Sequence, residues 1–178
     1  TLFNSKNFSE LEGIDDYSIN KTDDKILIAT NSTPIYRHSF TAVYYLYDIK
    51  TNSLTKVSNN AIQEPLLTAD GTKIAYAFEN NIYVFDVNKK ATTQVTNDGA
   101  YNKVINGITD WVYEEEFAFV RAFDWNADGT QLAYVRFDES DVPTFSMDVY
   151  GKELYPSQQV FKYPKAGENN SKVSLHIY

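Results

Sequence analysis

Three consecutive glutamates, Glu114, Glu115 and Glu116, lie in the stretch DWVYEEEF at residues 110–117. The chain already carries a formal net charge of −8, so solubility does not require more carboxylates here. Two neighbouring carboxylates repel each other, and a cation bound between them relieves the repulsion. An α-ammonium group has three N–H donors and suits such a pair. The stretch therefore predicts a site for a small cation of this kind, and a solvated acidic helix face is the alternative.

The same stretch has the features of a helix start. Asp110 can cap a helix, and the helix dipole favours carboxylates in the first turns that follow. We therefore expect a short helix over residues 110 to about 122. Because adjacent helical residues point about 100° apart, Glu115 and Glu116 would not flank a glycosidic bond as the carboxylates of a glycosidase do.

A second candidate is Arg37, which lies beside His38 in the segment NSTPIYRHSFTA at residues 31–42. An arginine can donate two parallel hydrogen bonds to a carbonyl or a carboxylate. The alternative is an exposed or salt-bridged arginine without a binding role. Both this segment and DWVYEEEF interrupt a repeated strand pattern. Insertions into repeat units form loops on one face, often the binding face.

The repeated pattern consists of a polar turn followed by an alternating apolar strand. Three copies are NKTDDKILIATN (20–31), LTADGTKIAYAFENN (67–81) and WNADGTQLAYVRFDES (125–140). Two of the turns contain Asp-Gly, a strong hairpin signal, because glycine adopts positive φ at little cost. Units of about 40 to 60 residues, each a small antiparallel sheet, are typical of β-propeller blades.

We therefore predict an all-β fold, a partial β-propeller of about three to four blades of antiparallel strands, with a short inserted helix near 110–122. At about 50 residues per blade, the 178 residues are too few for most closed propellers, which have four to eight blades. A β-sandwich is the alternative. Because a partial propeller leaves strand edges unpaired, we also expect the isolated chain to self-associate.

The composition disfavours several other kinds of chemistry. The 16 basic residues are scattered, which argues against a nucleic-acid partner. Cysteine is absent, so the chain can form neither a disulfide nor a thiolate metal site. No Gly-x-Ser-x-Gly motif is present, so the nucleophile elbow of an α/β-hydrolase is missing. No metal-site spacing or phosphate-binding glycine loop is visible, and we expect no metal and no cofactor.

Four segments of the chain form one recognisable set: YRHSFTAVYYLYDI (36–49), NGITDWVYEEE (106–116), WNADGTQLAYVRFDESDVP (125–143) and YPKAGENNSKVSLHIY (163–178). Together they resemble the propeller domain of the dipeptidyl peptidase IV subfamily of the prolyl oligopeptidase family, in its bacterial type. The similarity runs in one order from about residue 16 to residue 178. The segment FAFVRAFDW (117–125) departs from the mammalian pattern, so no further substrate contact is predicted there.

The resemblance implies roles for particular residues. Glu115 and Glu116 would bind the free N-terminus of a peptide, and Arg37 would contact the carbonyl of its N-terminal dipeptide. His38 matches a neighbouring residue with a structural role. We expect a supporting role in the helix for Glu114, Trp111 and Tyr113.

The resemblance also implies a larger protein, an eight-bladed propeller joined to a C-terminal α/β-hydrolase domain with a Ser-Asp-His triad. Residues 1–178 would be a fragment of the N-terminal propeller, with the hydrolase domain absent and no activity of their own. The intact protein would be a serine exopeptidase that gates its substrates and releases Xaa-Pro, less well Xaa-Ala, dipeptides. The alternatives are a tripeptidyl peptidase of the same family and a non-catalytic binding module.

The expected partners are a peptide with a free N-terminus, the chain's own C-terminal hydrolase domain and, in the intact protein, a second copy in a homodimer. The expected location is exported, either periplasmic or on the cell surface of a bacterium.

Overall fold

The computed structural model describes residues 3–11 and 13–178. Within these residues, antiparallel strands form three four-stranded sheets and one separate two-stranded hairpin. Blade 1 contains β1 (Asp16–Ile19), β2 (Lys25–Pro34), β3 (Phe40–Asp48) and β4 (Ser53–Lys56). Blade 2 contains β5 (Gln63–Leu67), β6 (Lys73–Phe78), β7 (Asn81–Asp86) and β8 (Ala91–Gln94). In both blades the strands lie side by side in chain order.

Blade 3 is interrupted twice. Its strands are β9 (Val104–Asn106), β10 (Phe123–Trp125), β11 (Leu132–Asp138) and β14 (Lys172–Ile177). Both β9 and β10 pair with β11, and β14 pairs with the other edge of β11. The helix α1 (Trp111–Phe117) lies between β9 and β10, and the hairpin of β12 (Thr144–Val149) and β13 (Ser157–Lys162) lies between β11 and β14. A short 3₁₀ helix (Ser5–Asn7) precedes blade 1.

The blades pack face to face, which is how a propeller buries its apolar residues. The central strand β6 is buried on both faces. Ile74 and Tyr76 pack in one cluster with Leu27 and Leu46 of blade 1, whereas Ala75 packs in another with residues of blade 3. Because side chains alternate along a strand, β6 contributes larger residues to one interface and small ones to the other. This arrangement confirms the predicted partial propeller, and the sandwich alternative was wrong.

The three repeated turns have the backbone that the sequence predicts. Gly71 and Gly129 have φ of +68° and +67°. In the first copy, where the corresponding residue is Asp23, φ is also positive at 55°. Asp is one of the few non-glycine residues that tolerate this conformation. The turn geometry is therefore shared by all three copies even though the glycine is not.

The two insertions differ from expectation in their local structure. The helix ends at Phe117, five residues earlier than predicted, because Ala118 adopts a left-handed conformation with φ of 55°. The chain then returns along residues 107–109, with hydrogen bonds from Thr109 to Val120 and from Ala122 to Gly107. Residues 31–42 are not a free loop either. They extend β2 and β3 beyond the sheet, leaving only residues 35–39, here called the arginine loop, at the tip.

The strand at the open side of blade 3 has an exposed apolar face. Val173, Leu175 and Ile177 of β14 are 45%, 71% and 67% exposed. Such an edge favours pairing with another chain. Self-association of the isolated chain stays a prediction.

Gly107 is expected to tolerate no side chain. It has φ of +77°, and a Cβ atom there would lie 2.8 Å from the buried Ile82 and 3.0 Å from Phe123. Backbone strain and overpacking would each cost about 1 to 3 kcal/mol. We expect Gly107→Ala to lower the Tm of the full-length protein by roughly 1 to 4 °C. Gly151→Ala is the matched control, because a Cβ atom there meets nothing within 4 Å, and an equal shift in both variants would contradict the prediction.

Candidate functional site

The start of helix α1 is fixed by Asp110, as the sequence predicts. Its carboxylate accepts a hydrogen bond of 2.9 Å from the backbone N–H of Tyr113. The carboxylate also accepts a hydrogen bond from the hydroxyl of Ser171, which joins the cap to the residue just before β14. Asp110 itself is buried. The cap therefore determines the direction in which the glutamates of the next turn point.

The three glutamates of the helix have three different environments. Glu114 is 1% exposed, so its carboxylate lies inside the protein. The side chain of Glu115 is 17% exposed and faces the arginine loop. Glu116 is exposed, and within the described residues it makes no salt bridge. Consecutive carboxylates diverge because each helical residue is rotated by about 100° from the one before.

Arg37 and Glu115 form an ion pair although they are far apart in the sequence. The Nε atom of Arg37 lies 2.9 Å from Oε2 of Glu115 and 3.3 Å from Oε1. The arginine side chain is 71% exposed, so its guanidinium faces the solvent as well as the glutamate. The fold thus brings together two of the three predicted site residues, with Glu116 adjacent on the helix. Their binding role stays a prediction.

Glu114 connects the helix to the arginine loop. Its Oε1 atom accepts hydrogen bonds of 2.8 Å from the backbone N–H groups of both His38 and Ser39. Sequence analysis expected Glu114 to support the helix, whereas its hydrogen bonds hold a loop that belongs to blade 1. His38 contributes its backbone here, which fits a structural role.

Aromatic contacts hold the helix on two sides. The ring of Trp111 lies 4.8 Å from Tyr163 and 6.1 Å from Phe161, between centroids, next to the hairpin β12–β13. The ring of Tyr113 lies 5.0 Å from Phe137 of β11. Such pairs contribute about 0.5 to 1.5 kcal/mol beyond their buried area. The contacts of Trp111 and Tyr113 agree with the supporting role expected for them.

The three side chains together form an acidic, partly neutralised surface. Glu115 and Glu116 carry one negative charge each and Arg37 carries one positive charge, which leaves a net charge of −1. An ammonium group has the opposite charge and three donors, while the guanidinium can still donate to a carbonyl. Among the described residues, no group of three His, Asp or Glu side chains is arranged to hold a metal ion.

A cavity of about 220 Å³ lies behind the start of the helix. Tyr36, Asp110, Glu114, Glu139 and Lys162 are among its lining residues. Glu139 is 6% exposed. Burial raises the pKa of its carboxyl to about 7, with the nearby charge of Asp110 adding to the effect. Burial also raises the pKa of the Tyr36 hydroxyl to about 12. Sequence analysis did not find Glu139, since nothing in FDES indicates burial.

Comparison with known proteins gives this arrangement a family. The family model described as "Dipeptidyl peptidase IV (DPP IV) N-terminal region" matches residues 20–178. The chain belongs to the dipeptidyl peptidase IV family. This finding confirms the resemblance seen in the sequence.

Individual dipeptidyl peptidase IV relatives agree with the family match. Dipeptidyl peptidase 4 of Felis catus is 37% identical over 177 residues, which cover 96% of this chain and 23% of that protein. Prolyl endopeptidase FAP of Mus musculus is 35% identical over 165 residues, or 91% of this chain and 22% of that protein. The crystal structure of Porphyromonas gingivalis dipeptidyl peptidase 4 superposes with a TM-score of 0.93 at 42% identity.

That superposition covers 100% of this chain and 26% of the P. gingivalis chain. The chain therefore spans about a quarter of the length of these dipeptidyl peptidase IV relatives. None of the described helices is long and apolar enough to cross a membrane.

The raised pKa of Glu139 predicts a pH-dependent stability difference. An acid with a raised folded-state pKa keeps its proton in the folded state, so stability falls as the pH rises from about 4.5 towards 7. Glu139→Gln cannot ionise and avoids this loss. We expect the variant of the full-length protein to have a higher Tm than wild type at pH 8, by an amount that shrinks at pH 5.

Glu153→Gln, which changes an exposed glutamate, controls for the loss of one carboxylate. The same Tm difference at both pH values for Glu139→Gln would contradict the assignment.

Proposed function

We propose that this chain is the substrate-gating and N-terminus-recognising part of a serine exopeptidase that releases Xaa-Pro, and less well Xaa-Ala, dipeptides from peptides. The observation that carries the proposal is the meeting of Arg37 with Glu115, 78 residues apart, beside the exposed Glu116. On one surface, two carboxylates suit the ammonium group of a peptide N-terminus, and a guanidinium suits a backbone carbonyl close to it.

In this proposal the chain contributes position rather than bond breaking. Residues 1–178 would belong to the N-terminal propeller domain, and a hydrolase domain of the same protein would supply the nucleophile. Glu115 and Glu116 hold the ammonium group, and Arg37 holds a carbonyl of the N-terminal dipeptide. Fixing one end of the peptide presents one peptide bond to the nucleophile and raises its effective concentration. The site thereby works as a ruler that sets the length of the product.

The relatives support a peptidase but differ in what their names state. The cat and P. gingivalis proteins are called dipeptidyl peptidase 4, whereas the mouse protein is called a prolyl endopeptidase. An exopeptidase requires a free N-terminus, while an endopeptidase does not. The ammonium site proposed at Glu115 and Glu116 would favour the exopeptidase.

The proposal is tested with the full-length protein and a Gly-Pro chromogenic amide, with a free or an acetylated N-terminus. We expect cleavage of the free form alone. Neutralising both carboxylates, by Glu115→Gln with Glu116→Gln, should lower kcat/KM by well over tenfold, or more than about 1.4 kcal/mol. Arg37→Ala should also lower it by tenfold or more.

Glu153→Gln, which changes an exposed glutamate between β12 and β13, is the matched control for the loss of an exposed carboxylate. Equal cleavage of the acetylated amide would favour an endopeptidase, and tripeptides released from a longer peptide would favour the tripeptidyl alternative. Absence of cleavage in either form would favour the binding module. A loss below tenfold in the glutamate variants would show that the pair does not measure the substrate.

A further inference from the structure

Glu114 is among the largest side chains that the protein buries completely. Carboxylates are rarely buried to this degree unless they are paired or well hydrogen-bonded. In the described part of the chain Glu114 makes no ion pair, and its Oε1 atom accepts from the amides of His38 and Ser39 at 2.8 Å each. Leaving either backbone donor without this acceptor would cost free energy, because an unsatisfied buried polar group is unfavourable. Residues 38 and 39 are therefore firmly attached to the helix.

The attachment lies directly beside Arg37. Two further hydrogen bonds close the arginine loop, and Ser39 accepts both of them. The N–H of Ile35 donates to the Ser39 carbonyl, and the N–H of Tyr36 donates to the Ser39 hydroxyl. With Ser39 held by Glu114, these bonds leave the backbone of the loop little freedom. The position of the arginine Cα atom thus depends on the glutamate of the neighbouring element.

The ion pair of Arg37 with Glu115 cannot hold the loop in the same way. The arginine side chain is 71% exposed, and exposed ion pairs contribute little because water and salt screen them and the side chains lose conformational freedom. Glu114 differs, since its carboxyl group is buried, both of its donors are backbone amides, and the bond from Ser39 is fully buried. The position of Arg37 therefore depends on the loop, and the position of the loop depends on Glu114.

We propose that Glu114 is a positioning residue, which places the Arg37 guanidinium against Glu115 by clamping the arginine loop to helix α1. It does not bind the substrate, because it is 1% exposed. Glu114 and Glu115 are adjacent in one helical turn. This turn therefore determines the positions of both the Glu115 carboxylate and the Arg37 guanidinium, and so it fixes the distance between them. This inference rests on the proposed function, in which Arg37 contacts the substrate.

A double-mutant cycle in the full-length protein separates this role from general support of the fold. Glu114→Ala leaves both amides without their acceptor. We expect it to lower kcat/KM for the free Gly-Pro amide by tenfold or more when Arg37 is present. In an Arg37→Ala background the same change should cost less than twofold, because the group that Glu114 positions is already gone. The same loss in both backgrounds would overturn the proposal.

Glu114→Gln provides a second cycle if the alanine variant does not fold. Glutamine keeps the volume and one acceptor oxygen but loses the charge, so we expect a smaller loss that again depends on Arg37. Glu139→Gln is the matched control, since it changes another buried glutamate that lines the same cavity but makes no hydrogen bond to the arginine loop among the described residues. A loss in this control equal to that of Glu114→Gln would also contradict the proposal.

A measurement without substrate tests the clamp itself. In hydrogen exchange of the full-length protein, peptides that contain the amides of His38 and Ser39 should exchange faster in Glu114→Gln than in wild type. Peptides of the hairpin β12–β13 should not change, and Glu139→Gln should leave the loop as protected as in wild type. Unchanged exchange at residues 38 and 39 would overturn the clamp.

The results also separate this inference from the proposed function. If Arg37→Ala alone costs less than tenfold, the proposed role of Arg37 fails, and the exchange measurement still decides whether the clamp exists. If Arg37→Ala is costly but Glu114 shows no dependence on it, only the positioning role fails.

Discussion

The site depends on one buried carboxylate that accepts two backbone hydrogen bonds from a loop 75 and 76 residues earlier in the chain. Glu114 belongs to an insertion of blade 3, whereas His38 and Ser39 belong to an extension of blade 1. The two insertions do not share a sheet. Among the described residues, the other polar contact between the two insertions is the exposed ion pair of Arg37 with Glu115. A long-range contact, made by two backbone hydrogen bonds to one buried carboxyl group, thus joins the two insertions into one candidate site.

A buried carboxyl group of this kind requires rigid surroundings, because a polar group that loses its hydrogen-bond partners inside a protein is costly. The propeller supplies that rigidity at both ends. Strands β2 and β3 continue beyond their sheet to carry the loop, and residues 107–109 pair with 120–122 beneath the helix. The cap by Asp110 then sets the rotation of the helix. Binding groups held on such elements are placed more accurately than groups on free loops.

Sequence reasoning found the features that are encoded locally. The repeated turns depend on a few residues with positive φ, and the predicted strands and blades followed from them, including the first copy, where Asp23 replaces glycine. The helix was predicted because Asp110 and the glutamates form a helix start, but its end was missed. Alanine is not a residue type that marks a turn, so Ala118 gives no signal that the helix ends. Residues 120–122 then pair with residues 107–109. That pairing is a tertiary contact which no local pattern indicates.

The three glutamates show why the roles of individual site residues could not be predicted from the sequence. They are the same residue type in a row, and local rules treat them alike. On a helix, however, consecutive side chains are rotated by about 100°, so three in a row must point inward, sideways and outward. Which of them is buried depends on where the arginine loop meets the helix. A pair would suffice to bind a cation, and the first glutamate of the run is explained by the loop that it holds.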